Sequence, residues 1–244
     1  MSRIALLIEA SKSKKHGDLP GAVEDVASYA SFLASDFGGA WKDDEIRVLN
    51  NPSKDLVNAW LKVAKNADYA FITFSGHGYH AVGKGINETR LLINDDQEMA
   101  VSELNPGNPR VLIIPDACRK VTPVTMEKSA RSIQASLTEA ARFLKPNRQR
   151  CRELFDKGIT NAELGSIYMY SCDLNEAAGD TNSFSRMLVG VGEAWAERRD
   201  AGTLASNYAF AGAAEATTKK NPQQHPKMDA GRRINHFPFA VLAY

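Results

Sequence analysis

The sequence predicts an α/β fold, a mostly parallel sheet with helices on both of its faces. Three observations predict it. Short apolar runs of strand length alternate with stretches whose apolar residues recur at helical spacing. The runs Phe71-Ile72-Thr73-Phe74 and Val111-Leu112-Ile113-Ile114 are nearly continuous, as strands buried on both faces are. Each run then stops at polar, reactive residues, and in parallel sheets sites form beyond the carboxyl ends of the strands.

Taken in order, 3–9 reads as a buried strand and 10–20 as a polar, basic loop. Residues 21–37 place Val26, Tyr29, Ala30, Leu33 and Phe37 at helical spacing, with Gly38-Gly39 as the expected cap. A second strand is expected at 45–49. A helix follows from Asn51-Pro52-Ser53 through Leu56, Trp60, Leu61 and Ala64. Residues 69–74 are the third strand, 91–93 a short strand before a turn at Asn94-Asp95-Asp96, 100–104 one helical turn, and 110–114 the fourth strand. From 119 to 158 the rhythm breaks into a basic stretch, helix-prone at Ile133, Leu137, Ala141 and Leu144 and interrupted at Pro146. A fifth strand at 166–171, an amphipathic helix at 183–197, a polar segment with turns at 217–233 and a last strand at 235–242 complete the chain.

The 244 residues are 43% hydrophobic and 24% charged, enough for a full core. A net charge of +1 argues against nucleic acid as an electrostatic partner. No apolar run reaches the roughly 18 residues of a membrane span. The short run Ile4–Ile8 lacks a cleavage site and reads as a first strand, so a cytoplasmic protein is expected. Cys118, Cys151 and Cys172 are too few and too irregularly spaced for a disulfide framework or a zinc site. Free thiols are the expectation, which leaves one available for catalysis.

His77 and Cys118 both lie just past predicted strand ends. A thiol of pKa about 8.5 is mostly protonated at neutral pH, and the thiolate is the attacking species. A histidine within reach supplies the base and later protonates the leaving amine. Two backbone N–H groups must also face the developing oxyanion, and those of Gly78 and Cys118 are the natural donors. Two other patterns carry less. Gly78–Gly85 has the spacing of a phosphate loop, but Gly85 stands where Ser or Thr is needed. His77 and His80 have no third ligand for zinc.

Ser75-Gly76-His77-Gly78 followed by Asp116-Ala117-Cys118-Arg119 resembles the caspase-like cysteine peptidases, metacaspases in particular. Leu19–Asp25, Ser171-Cys172-Asp173 and Phe184–Val189 extend the resemblance over nearly the whole chain. It implies a caspase-like three-layer α/β/α fold with a central, mostly parallel six-stranded sheet. It implies one peptidase domain over 1–244, with a large-subunit-like region at 1–120, a linker or insertion at 121–165 and a small-subunit-like region at 166–244. Caspases carry glutamine at the position of Asp116 and an early arginine that grips a substrate aspartate. Here Asp25 and Asp116 stand instead, with Ser75 before the histidine. Two carboxylates repel an acidic side chain and suit arginine or lysine. Cleavage after Arg or Lys is therefore expected, with Asp25, Ser75 and Asp116 lining the S1 pocket. Asp25 in a first helical turn and Asp116 as a loop cap are the plainer readings.

The resemblance raises calcium as a cofactor, with Asp95 and Asp96 as its candidates. The six or more oxygens of such a site cannot be assembled from the sequence, so no cofactor is expected. If the pocket takes basic residues, the stretch 119–152 offers sites for self-processing; a solvated helical insertion is the alternative. Small prokaryotic relatives serve stress, cell-death or antiphage defence, switched on by a partner or small signal molecule. Expected partners are peptides with Arg or Lys before the scissile bond. The competing functions are a catalytically silent scaffold and an Asp-specific protease.

Overall fold

The computed structural model describes residues 1–83, 85–123, 146–180, 183–198 and 200–244. The elements are β1 (Arg3–Ala10), α1 (Pro20–Ala34), β2 (Ile46–Asn50), α2 (Lys54–Ala64), β3 (Tyr69–Gly76), β4 (Gly78–Gly83), β5 (Ile86–Asn94), β6 (Gln97–Ala100), β7 (Arg110–Asp116), β8 (Val121–Pro123), α3 (Arg148–Asn161), β9 (Gly165–Tyr170), α4 (Phe184–Glu197), β10 (Gly202–Ala205), α5 (Ser206–Lys220), β11 (Lys227–Asp229) and β12 (Pro238–Leu242). The central sheet has six strands in the order β11-β9-β7-β3-β1-β2. All neighbours are parallel except β11, which runs antiparallel to β9.

Alternation along β1 divides the core. Ala5 and Leu7 join Tyr69, Phe71, Leu112 and Ile114 under α1, α3, α4 and α5. Ile4, Leu6 and Ile8 face the other way, with Ala70, Ile72 and Ile113, beneath α2 and the second sheet. That second sheet, β6-β5-β4-β8, begins at Gly78, so His77 is the single residue between the two sheets. No helix among the described residues is long and apolar enough to cross a membrane.

Most boundaries differ from the sequence reading by a residue or two. The larger departures have physical reasons. Helix α1 ends at Ala34, where the Ser35 hydroxyl donates to the Phe32 carbonyl at 2.6 Å and turns the chain, and not at Phe37. Strand β7 runs on through Pro115. Proline has no N–H to give, but its carbonyl still accepts from the Ser171 N–H at 3.5 Å. The last strand, expected at 235–242, forms at Pro238–Leu242. It is not an edge of the main sheet: it pairs with β10 and is buried along its length. The sixth strand of the main sheet is β11, inside the stretch read as polar turns.

Within the region 121–165 the described residues include a core helix. It is α3, whose Cys151, Phe155 and Ile159 are buried in the core. Arg148 donates to the carbonyls of Ala34 (2.7 Å) and Trp41 (3.1 Å), and Arg152 to that of Ala40 (3.0 Å) and to Glu45. These two arginines of the basic stretch tie α3 to the segment 34–45. The helix expected around Ile133–Leu144 lies outside the described residues.

Phe155 packs edge-on against Trp41 and Tyr69, with ring centroids 6.0 and 6.4 Å away. Replacing a buried Phe by Ala costs about 3–5 kcal/mol. Phe155→Ala is expected to lose that much in denaturant unfolding, whereas a dispensable linker helix would lose less than about 1 kcal/mol.

Candidate active site

Strands β1, β3 and β7 end together. Glu9 pairs with Ser75 and Ala10 with Gly76, while Ser75 pairs with Asp116 on its other side. His77 and Cys118 therefore each follow a paired position by two residues. The loop after β1 leaves the same sheet edge. One cleft of about 180 Å³ lies there, lined by His77, Cys118, Asp25, Ser75 and Asp116 together with Leu19, Ala22 and the segment Ala177–Asp180.

The half-buried His77 ring has its Nε2 2.8 Å from the Gly17 carbonyl oxygen. A carbonyl only accepts, so Nε2 carries a proton, which in the neutral ring leaves the lone pair on Nδ1. The ring also lies 5.4 Å from that of His16, tilted by 48°. Its backbone is held from β5, where the Leu92 N–H donates to the His77 carbonyl at 2.9 Å. Gly78 must be a glycine: a Cβ there would stand 2.8 Å from the Ala117 Cβ and 3.1 Å from the Cys118 carbonyl oxygen.

Cys118 is half-buried, and its sulfur accepts the Ala178 N–H at 3.3 Å. Burial raises the thiol's pKa, and the nearby Asp116 adds to the rise while the Ala178 N–H opposes it. The resting group is a thiol that needs a base. Arg119, next in the chain, braces the turn. Its Nε donates to Thr89 Oγ1 (3.1 Å), one Nη donates to the Cys172 carbonyl (3.2 Å), and the guanidinium lies over the Tyr170 ring at 4.0 Å. The other two thiols are packed in. Cys172 is pushed up to about 12, chiefly by burial, and Cys151 sits in the core on α3.

Two buried carboxylates form the floor. Asp25 Oδ2 accepts the Ser75 hydroxyl at 2.6 Å; its Oδ1 accepts Ser183 Oγ and pairs with Arg186 Nε at 3.2 Å. Asp116 Oδ2 accepts the Ser185 N–H at 2.9 Å. Burial raises the pKa of both acids, and for Asp25 the charge of Asp116 is the next cause. The hydroxyls of Ser75 and Ser183 and the Arg186 guanidinium offset part of that for Asp25. A cation arriving in the cleft would favour their ionised forms.

No protein-family model and no curated protein matches the chain. Among solved structures it is similar to caspase-1 from Spodoptera frugiperda, at 13% identity over 95% of this chain and 87% of that one, with a TM-score of 0.56. It is also similar to protein GSU0716 from Geobacter sulfurreducens, at 17% identity over 99% and 100% of the two chains, with a TM-score of 0.60. The chain has a caspase-like fold.

Within that caspase-like fold, the residues singled out from the sequence fall in two places. His77, Cys118, Asp25, Ser75 and Asp116 line the cleft, and Gly78 follows His77 at the start of β4. Asp95 and Asp96 lie on the β5–β6 turn and are engaged by the loop after β1: Asp95 by Ser13 and Lys14, Asp96 by the Lys15 ammonium at 2.9 Å. Among the described residues no group of three or more His, Cys, Asp or Glu is placed to hold a metal. His80 bonds Thr89 and Asn87 inside the small sheet.

Three residues of the site carried no sequence signal. Asp180 lines the cleft, and burial raises its carboxyl. Arg186 ties Asp25 to Glu24 and to the Asp180 carbonyl. Gln224, fully buried, accepts the Gly179 N–H at 3.0 Å and donates to the Ser171 carbonyl at 2.8 Å.

A carboxyl with a raised pKa in the folded state holds a proton that the unfolded chain gives up. Its contribution to stability therefore falls as pH rises from the unfolded value through the folded one. Asp25→Asn removes that fall. Between pH 5 and pH 9 the melting temperature of the unaltered protein is expected to drop relative to that of Asp25→Asn; parallel curves would show that Asp25 ionises normally.

Proposed function

We propose that the chain is a cysteine endopeptidase, nearest in kind to metacaspases, that cleaves after arginine or lysine. The observation that carries this is one cleft lined at once by an imidazole, a thiol and two buried carboxylates. His77 Nδ1 takes the thiol proton, and the sulfur attacks the scissile carbonyl carbon. The oxyanion is received by the N–H groups of Gly78 and Cys118. The peptide C–N bond breaks as the imidazolium returns its proton to the leaving amine. Water, with His77 again as base, then hydrolyses the thioester. The substrate's guanidinium or ammonium enters between Asp25 and Asp116, with Ser75 bonded to the former.

The thiol's contact with Ala178 makes the described state a resting one. Ala177–Asp180 has to shift before a substrate carbonyl can approach the sulfur. That fits a peptidase switched on by a partner or small signal molecule, as in stress or antiphage defence. In this reading 1–120 and 166–244 act as large- and small-subunit-like halves of a single cytoplasmic domain, with no metal in the chemistry.

Fluorogenic peptides ending in Arg, Lys or Asp test the reading, with and without calcium and with Cys118→Ala as control. Arg and Lys peptides are expected to turn over, and Cys118→Ala to lose at least roughly 10³-fold in kcat. Asp116→Asn is expected to raise KM about 10- to 100-fold with a smaller effect on kcat. KM for the Arg peptide falls as pH rises through the titration of Asp25 and Asp116, because the cation binds their ionised form. Turnover of the Asp peptide would overturn the pocket assignment.

A further inference from the structure

The Gly17 carbonyl that holds the His77 ring belongs to a basic surface loop, and a carbonyl on a loose loop would orient nothing. Within the loop, the Gly17 N–H donates to the Ser13 carbonyl at 3.0 Å and the His16 N–H to Ser13 Oγ at 2.9 Å, so Gly17 is placed by Ser13. Ser13 is placed in turn by Asp95. Its hydroxyl donates to Asp95 Oδ1 at 2.6 Å, and the N–H groups of Lys14 and Lys15 donate to Oδ2 and Oδ1 at 2.9 and 3.4 Å. Three donors from consecutive residues converge on one carboxylate. Those bonds, led by that of Ser13, hold the Asp95 carboxyl below the usual carboxylate range.

The anchor itself is rigid. Asp95 sits at the end of β5, where the Asp96 N–H donates to Asn94 Oδ1 at 3.0 Å. Asn94 Nδ2 donates to Gln97 Oε1 at 2.9 Å, and the same oxygen accepts the Lys54 N–H of α2. Strand β5 also supplies the Leu92 N–H that holds the His77 carbonyl. One strand thus grips His77 twice, directly through its backbone and, through Asp95, by its ring.

We propose that Asp95 is a positioning residue for His77, holding the loop so that the Gly17 carbonyl fixes Nε2–H and leaves Nδ1 as the ring's basic nitrogen. This deepens the reading of His77 as the general base and rests on it. Asp96, on the same turn with its side chain 84% exposed, touches the loop only through the Lys15 side chain and is the natural control.

The test uses the full chain with ¹⁵N-labelled histidine. The His77 Nε2–H resonance, assigned by its disappearance in His77→Ala, is expected in the unaltered protein and in Asp96→Ala. It should be lost in Asp95→Ala and weakened in Asp95→Asn, which keeps an acceptor oxygen but not the charge. Thermal melts identify any variant that fails to fold. With the Arg peptide, Asp95→Ala is expected to lower kcat roughly 10- to 100-fold, the scale of a misplaced catalytic group. KM should stay within about twofold. In a His77→Ala background the same change should add nothing. A resonance that persists in Asp95→Ala, or a rise in KM at unchanged kcat, would overturn the proposal. If the unaltered protein cleaves nothing, the peptidase reading fails, while the resonance alone still decides whether Asp95 sets the ring.

Discussion

The parallel register of β1, β3 and β7 is the constraint on which the rest depends. Pairing Ser75 with Asp116, and Glu9 with Ser75, sends three chain segments out of one sheet edge at the same level. One brings the carbonyl that holds the imidazole, one the imidazole, one the thiol. A slip of one residue in β7 would turn Asp116 to the opposite face and part the thiol from the cleft. The core prevents this, because the alternate residues of each strand are already buried against α1 on one side and α2 on the other. The same packing that stabilises the sheet therefore fixes the chemistry at its edge.

The site is built against local stability. Asp25 and Asp116 are almost wholly buried, side by side, with serine hydroxyls, backbone N–H groups and one arginine as their partners. A buried pair of this kind costs folding free energy. The thiol is treated alike. Burial keeps it neutral, and it accepts the Ala178 N–H of a segment that Gln224 ties down from the loop after α5 and Arg186 from α4.

Much of this was legible in the sequence, and for definite reasons. β1, β3, β7 and β9 are nearly continuous apolar runs, and α2 declares its start with Ser53, whose hydroxyl accepts the Leu56 N–H at 3.2 Å. Residues of the site that follow such runs could be named in advance. Of the β4–β5 hairpin only 91–93 could be read as strand, since the glycines and polar residues of the rest hide the alternation. Helix α5 buries only small residues, among them Ala209, Ala213 and Thr217, and so shows no apolar stripe. Strand β11 is three mostly polar residues at an edge. Asp180, Arg186 and Gln224 reach the site only through tertiary packing, which no local pattern announces. The resemblance raised Asp95 and Asp96 as calcium candidates, and in the folded chain both are bonded to the loop that carries Gly17.

The central claim is that one thiol serves a pocket for cations. The most direct measurement is intact-mass analysis after treatment with an arginyl and, separately, an aspartyl acyloxymethyl ketone, followed by peptide mapping. A single thioether on Cys118 from the arginyl reagent, absent in His77→Ala and slowed in Asp116→Asn, is the predicted result. Labelling by the aspartyl reagent, or labelling of Cys151 or Cys172 in preference to Cys118, would contradict it.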